Sequence, residues 1–381
     1  MNRLFYVLCV VISSIGHIVD GLAILNEDFE LERQLNVINK SPIKSIYTKS
    51  GSIVDCVEIN KQPAFDHPLL WNHTLQRKPS FKTSVKISAG KSSFPLEKVE
   101  CPKETVPIQR TTKDSLIQSK SLFNAHILDQ NKFRSFGAYA YHSDAIHYGV
   151  SGTTNVYNPK VSNGQSSESS LYVSNGIGDG TNVIAVGWHV YPQLYKDDKT
   201  HLFSLWTSDN FKSGCFNAYC GFVQTDRSYF LGSSIENTSS YGNPHVVQFS
   251  TSIYQDEKTQ NWWLSVENKA IGYFPAHLFS NLNKATEVGW GGLVQSHPGV
   301  SASDPPMGSG HLPDGHVLHS AYFSHIQFIN DRREDVGPVY GAVRTSSKAP
   351  EKCYGVKYYG YKGKELGCIL LFGGPGGACG N

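Results

Sequence analysis

Between positions 183 and 328 the chain alternates short apolar, β-branched and aromatic runs with clusters of Gly, Asn, Ser and Pro. Val183–Tyr191, His201–Thr207, Val246–Tyr254, Trp262–Val266 and His316–Phe328 read as strands, because branched and aromatic side chains pack well on a pleated surface. Ser174-Asn175-Gly176-Ile177-Gly178-Asp179-Gly180 reads as a turn. Helical periodicity of useful length is missing from this part, and no internal repeat is visible. Short punctuated strands over about 250 residues predict an all-β fold, an antiparallel β-sandwich. Ahead of it the pattern changes. Asn26 as a cap, Glu27 and Asp28 in a first turn, and Leu31, Leu35 and Ile38 on one face predict a short helix. The Lys/Ser/Pro segment Arg77–Pro107 reads as a linker, so a smaller N-terminal domain precedes the sandwich.

The first 23 residues stand apart from both. Arg3, an uncharged run Leu4–Ile15 and the small-residue exit Gly21-Leu22-Ala23 describe a secretory signal peptide. The apolar run falls short of the roughly 20 residues a bilayer span needs, so no membrane attachment is expected after its removal. The organisation expected is signal 1–23, leader and linker 24–125, and body 126–381, in a secreted, extracellular protein. Composition narrows the class further. Of 381 residues 39% are hydrophobic and 12% aromatic, while only 17% are charged against about 25% in average domains, which favours β-structure. A net charge of +2 offers no field for nucleic acid. The leader carries 15 Lys/Arg against 11 Asp/Glu and the body 18 against 20, consistent with a basic leader docked on a slightly acidic body.

Seven cysteines would enter an oxidising lumen, an odd number that leaves one thiol over or pairs it between chains. Cys56 and Cys101 bracket the linker and suit a bridge; Cys215 and Cys220 are close enough for a local one. Asn39, Asn72 and Asn237 head glycosylation sequons. Enzyme signatures are sparse. Gly-x-Ser-x-Gly, His-Glu-x-x-His and the P-loop are absent, and Gly373–Gly377 lacks the Lys-Ser/Thr of a phosphate loop. His311, His316, His319 and His325 cluster in sequence, but on a strand His316 points away from His319 and His325, so neither metal nor cofactor is expected.

Ordered blocks along nearly the whole chain carry a resemblance. Leu31–Leu35, Ile53–Ile59 and Lys61–Leu70 resemble the activation peptide of plant neprosin-family proteins, and Cys101-Pro102 with Thr105–Ile108 resembles the segment joining it to the body. The body matches through Asn155–Val161, Gly187–Pro192, Trp206–Asp209, Cys215–Thr225, Trp262–Leu264, Trp290–Gly292, Met307–His311 and Phe372–Gly377. The resemblance implies a secreted zymogen whose β-sandwich body is a glutamic endopeptidase cleaving next to proline. It also implies bridges Cys215–Cys220 and Cys353–Cys379, with Cys368 left over. Such a peptidase needs two carboxyl groups on one water, one ionised as general base and one protonated as acid.

At both family positions this chain departs from that pattern. A segment usually reading Ile-Glu-Ala-Gly-Trp is Ile184-Ala185-Val186-Gly187-Trp188, and the residue after Trp290-Gly291-Gly292 is Leu293. Asp179 and Glu287 lie six residues before these positions, about 20 Å along a strand, too far to substitute. Glu236 and Glu267 serve only if the fold brings them in. The expectation is a neprosin-family protein without standard catalysis, holding a proline-rich peptide or wall protein in a groove lined by Trp188, His189, Tyr191 and Trp290. Alternatives are an active proline-directed endopeptidase with displaced carboxylates, and a carbohydrate-binding sandwich.

Overall fold

The computed structural model describes residues 29–80, 96–128, 134–297, 299–300 and 303–380. The signal peptide and the cap residues Asn26, Glu27 and Asp28 lie outside them. Helix α1 (residues 29–38) turns Leu35 inward at 9% exposure while Glu32 and Arg33 stay in solvent, as its apolar spacing predicts. Strands β1 (Lys44–Tyr47), β2 (Ile53–Glu58) and β3 (Thr105–Gln109) form a three-stranded leader sheet, pinned by the Cys56–Cys101 disulfide. β3 thus begins inside the stretch read as linker. Helix α2 (Lys113–Leu128) runs across the boundary drawn at residue 125.

The body strands follow in order: β4 (Arg134–His147), β5 (Gly149–Asn155), β6 (Gln165–Asn175) and β7 (Asn182–Val190). Helix α3 (Pro192–Tyr195) leads to β8 (Thr200–Ser208), β9 (Ser213–Phe216), β10 (Val223–Gln224) and β11 (Ser234–Ile235). β12 (Gln248–Gln255), β13 (Trp262–Val266), β14 (Lys269–Phe274) and β15 (Ala285–Ser296) come next. β16 (Ala321–Ile329), β17 (Asp335–Val336), β18 (Arg344–Ser347), β19 (Gly355–Tyr361) and β20 (Cys368–Gly373) complete the chain. One sheet has the order β11-β8-β7-β6-β15-β4-β18 with β9 on β8; the other runs β10-β14-β13-β12-β5-β16-β20-β19 with β17 on β16. Every registered pair is antiparallel, and the two sheets enclose one large apolar core. The body is an antiparallel sandwich.

Period-two alternation decides which side chains enter that core. On β7, Ile184, Val186, Trp188 and Val190 are fully buried; on β15, Val288, Trp290 and Val294 are buried in the same layer. Both indoles cross to β5 in the opposite sheet, Trp188 Nε1 donating to Asn155 O and Trp290 Nε1 to Ser151 O, each at 2.8 Å. Burial without an orphaned N–H makes them structural.

The leader docks mainly through amides and apolar side chains. Gln62 donates to Gln224 O and accepts from Gln224 N (3.0 and 2.7 Å). Gln76 Oε1 accepts from Thr259 Oγ1, Asn261 Nδ2 and Trp263 Nε1. Leu70 and Leu96 join the body's own core cluster.

Candidate functional site

The second face of the β4-β15-β6-β7 sheet is the candidate site. Because Leu171 and Val173 point into the core, Glu168, Ser170, Tyr172 and Ser174 of β6 must point out. Neighbours on the same side are Ala185, Gly187 and His189 from β7, Glu287, Gly289, Gly291 and Leu293 from β15, and Gly137, Tyr139 and Tyr141 from β4. Register places Tyr172 between Ala185 and Gly289, and Glu168 between His189 and Leu293. Glycine keeps the floor low. A Cβ on Gly289 would stand 2.4 Å from the Tyr172 ring, which lies across it. At the Glu287 end the face opens into a cleft of about 970 Å³ lined by Tyr141, Ser174, Ile177 and Arg344.

Two carboxyl groups on this face are each tied to a tyrosine: Glu287, which lines the cleft together with Asp144, and Glu168, which lies farther along the floor, outside the cleft's lining. Glu168 Oε1 accepts from Ser170 Oγ at 3.0 Å and from Tyr139 OH at 3.3 Å. Burial raises Glu168 to about 7, although the two hydroxyls pull it back down. Glu287 Oε1 accepts from Tyr172 OH at 2.7 Å. The two rings meet edge to face, centroids 5.5 Å apart. Burial first, then the adjacent carboxylate, holds both phenols far above their ordinary pKa, so they act as donors.

The groove expected from the sequence does not form from the residues named for it. Trp188 and Trp290 face the core, because their parity opposes that of Ala185 and Leu293. His189 and Tyr191 are 1% and 2% exposed; His189 stacks on Phe203 at 4.2 Å, and Tyr191 OH meets His297 Nε2 at 3.3 Å. Ala185 and Leu293 do share the cleft face, four residues out of step along β6. Glu267 instead accepts from Ser250 N in the opposite sheet, and Glu236 is exposed beyond β11. Asp179 pairs with Lys212 at the surface.

Tyr139, Glu168 and Tyr172 were missed by sequence reasoning. Serines surround Glu168 at 166, 167, 169 and 170, so no apolar contrast marks its face; counting back by twos from Leu171 would have shown it.

Cys215–Cys220 and Cys353–Cys379 are bonded, with Cα separations of 6.1 and 6.0 Å, and Cys368 is the free thiol. Asn39 is fully engaged, Nδ2 donating to Thr111 O and Oδ1 accepting from Thr111 N, whereas Asn72 and Asn237 are exposed. His311, Tyr241, His319 and His316 stack as a column of rings, while His325 contacts Lys364 O. Among the described residues no three His, Cys, Asp or Glu side chains are grouped to hold a metal.

Structural similarity extends to scytalido-glutamic peptidase bound to a transition state analog inhibitor. The two are 11% identical with a TM-score of 0.37, over 63% of this chain and 98% of that one. SCP-B, a member of the Eqolisin family of peptidases in a complex with the tripeptide Ala-Ile-His, matches at 8% identity and a TM-score of 0.32, over 62% and 96%. The Neprosin activation peptide model matches residues 45–150 and the Neprosin model residues 163–375. With the body and its leader both matched, the chain belongs to the neprosin family.

Proposed function

We propose that this is a secreted, non-catalytic neprosin-family protein that holds proline-rich peptide in the cleft over β4, β15, β6 and β7. One observation carries the reading: among the described residues the two tyrosine-bonded carboxyl groups of this face, Glu168 and Glu287, do not converge, and Asp144, which shares the cleft with Glu287, is paired with Arg344. Hydrolysis by a carboxyl pair needs one group to activate water and another, in reach of the same water, to protonate the leaving nitrogen. Ala185 and Leu293 supply neither. Glu168 stands opposite Leu293, and Glu287 lies six residues farther along β15, roughly 20 Å away at about 3.4 Å per residue. Losing one acid or base already costs about 10²–10⁴-fold in rate.

Binding chemistry remains. Tyr139 and Tyr172 present aromatic surface on a glycine floor, the kind of groove that receives the preformed polyproline II helix. Secretion is supported by the Arg3–Ala23 pattern and by three disulfides. Among the described residues, no helix is long and apolar enough to cross a membrane.

Glu168 favours a second reading, an active proline-directed peptidase with a displaced carboxyl, since a group near 7 suits acid–base work. Among the described residues its cross-strand neighbours His189 and Leu293 supply no second carboxyl, which ranks that reading second. Titrating a fluorescein-labelled decaproline peptide with the full chain tests the first. Saturable binding, weakened at least tenfold by Tyr172→Ala, supports it; no saturable binding to the unmodified protein refutes it.

A further inference from the structure

We propose that the edge of the sandwich between β18 and β19 binds an acidic polysaccharide, a polyuronate whose carboxylates pair with Lys357 and Lys362 while its sugar rings lie on Tyr340. The site is separate from the cleft over β4, β15, β6 and β7, and the proposal stands independently of the peptide-binding reading.

Charge singles out this edge. Residues 337–364 hold six of the body's 18 Lys/Arg but only one of its 20 Asp/Glu, Glu351. A concentrated positive stretch on an otherwise acidic body points to an anionic partner. β18 and β19 are edge strands of the two sheets and lie side by side. At this edge a second cleft of about 640 Å³ is lined by Tyr340, Thr345, Lys357, Tyr358, Tyr359 and Lys362, with no acidic residue in its lining. Lys357 and Lys362 are exposed, and among the described residues neither is paired with an acid. Asp314 stands near Tyr359 but is bonded to His319 Nδ1 at 2.7 Å.

The aromatic part of the cleft is held in place by the protein itself. Tyr358 OH donates to Pro338 O at 2.6 Å, and the Tyr340 ring stacks on Tyr358 with centroids 6.1 Å apart. Gly360, at φ +70°, makes room for this: a Cβ there would stand 3.1 Å from Tyr340 Cδ2. Tyr340 is nonetheless 74% exposed. A stacked ring left so open is a preformed platform, and using it costs a ligand little ordering entropy. The partner must therefore supply repeated negative charge and flat apolar faces together. A polyuronate does both, since each ring carries a carboxylate and a C–H face. Phosphate polymers match less well, because guanidinium forks are the favoured phosphate partners. The one arginine of the stretch, Arg344, is committed to Asp144 at 2.7 Å. An acidic peptide brings the charge but no sugar face for Tyr340.

Fluorescence anisotropy of a fluorescein-labelled decagalacturonate, titrated with the full chain at neutral pH and physiological ionic strength, tests it. Saturable binding is expected, weakening as salt rises. Lys357→Ala/Lys362→Ala should weaken it about tenfold, the scale of two exposed ion pairs. Tyr340→Ala should weaken it about fivefold. All three side chains are exposed, so these variants keep the fold. Lys348→Ala/Lys352→Ala removes the same charge from outside the cleft lining and should change affinity less than about twofold. The fully methyl-esterified oligomer, uncharged but with the same rings, should bind at least about fivefold more weakly than the acid. No saturable binding of the galacturonate overturns the proposal, as does a Tyr340→Ala affinity equal to wild type. Equal losses from the two lysine pairs overturn it too, as does a decaglutamate peptide or a single-stranded decanucleotide binding as tightly as the galacturonate, since charge alone would then explain the affinity. Each of these outcomes leaves the decaproline titration to decide the peptide-binding reading by itself.

Discussion

At the scale of single residues, a polar group's role follows from which of its atoms are already engaged. Glu287 is bonded to one phenol, whereas Glu168 has one oxygen occupied twice and the other without a hydrogen-bond partner among the described residues. The same accounting sorts the three sequons. Oligosaccharide is attached through the asparagine amide nitrogen, and Asn39 Nδ2 donates to Thr111 O while Thr111 N closes the ring on Oδ1. Asn72 and Asn237 stand in solvent. Peptide mass spectrometry of protein from a secreting host should find glycan at Asn72 and Asn237 and an unmodified Asn39. Occupancy at Asn39 with an empty Asn237 would contradict this assignment.

Among elements, strands were the legible part of the sequence. Trp262–Val266 is β13 to the residue, and Val183–Tyr191 and His201–Thr207 are β7 and β8 within one position at each end, because apolar runs between turn residues have few other uses. The third run along the chain, Val246–Tyr254, starts two residues ahead of β12. His316–Phe328 began too early. Asp314 Oδ1 accepts from His316 N and Oδ2 pairs with His319, holding that stretch in a turn before β16 starts at Ala321. Sheet order was not legible, since the pairing of β6 with β15 joins segments more than a hundred residues apart. Without that pairing, nothing shows that Glu168 sits beside Leu293. Facing direction could have been read: the parity that sends Ala185 to the cleft sends Trp188 to the core.

Leader and body also meet at this scale. Leu70, 1% exposed within the body's core cluster, should cost about 2–5 kcal/mol when changed to Ala, the range for buried leucines. In urea, with disulfides intact, tryptophan fluorescence of Leu70→Ala should show one transition shifted to lower denaturant, as leader and body unfold together. An unshifted body transition would mean that the leader contributes nothing to the core.

For the molecule as a whole, a family sandwich is joined to its activation-peptide region. The core side of the β4-β15-β6-β7 sheet holds buried tryptophans, both hydrogen-bonded to β5, while the open side carries Ala185 and Leu293. The packed side stabilises the sandwich and the open side does not enter the core, so the fold alone does not fix the chemistry of the open side. Three disulfides and a leader rooted in the core preserve the scaffold. We propose that this scaffold does not hydrolyse peptides. The most direct measurement is cleavage of a quenched fluorescent proline-containing peptide from pH 2.5 to 8, before and after an added protease cuts the leader. Wild type and a Glu168→Gln/Glu287→Gln double variant should be indistinguishable from the peptide alone at every pH. Wild-type turnover that the double variant abolishes would contradict the account and restore a working peptidase with displaced carboxyl groups.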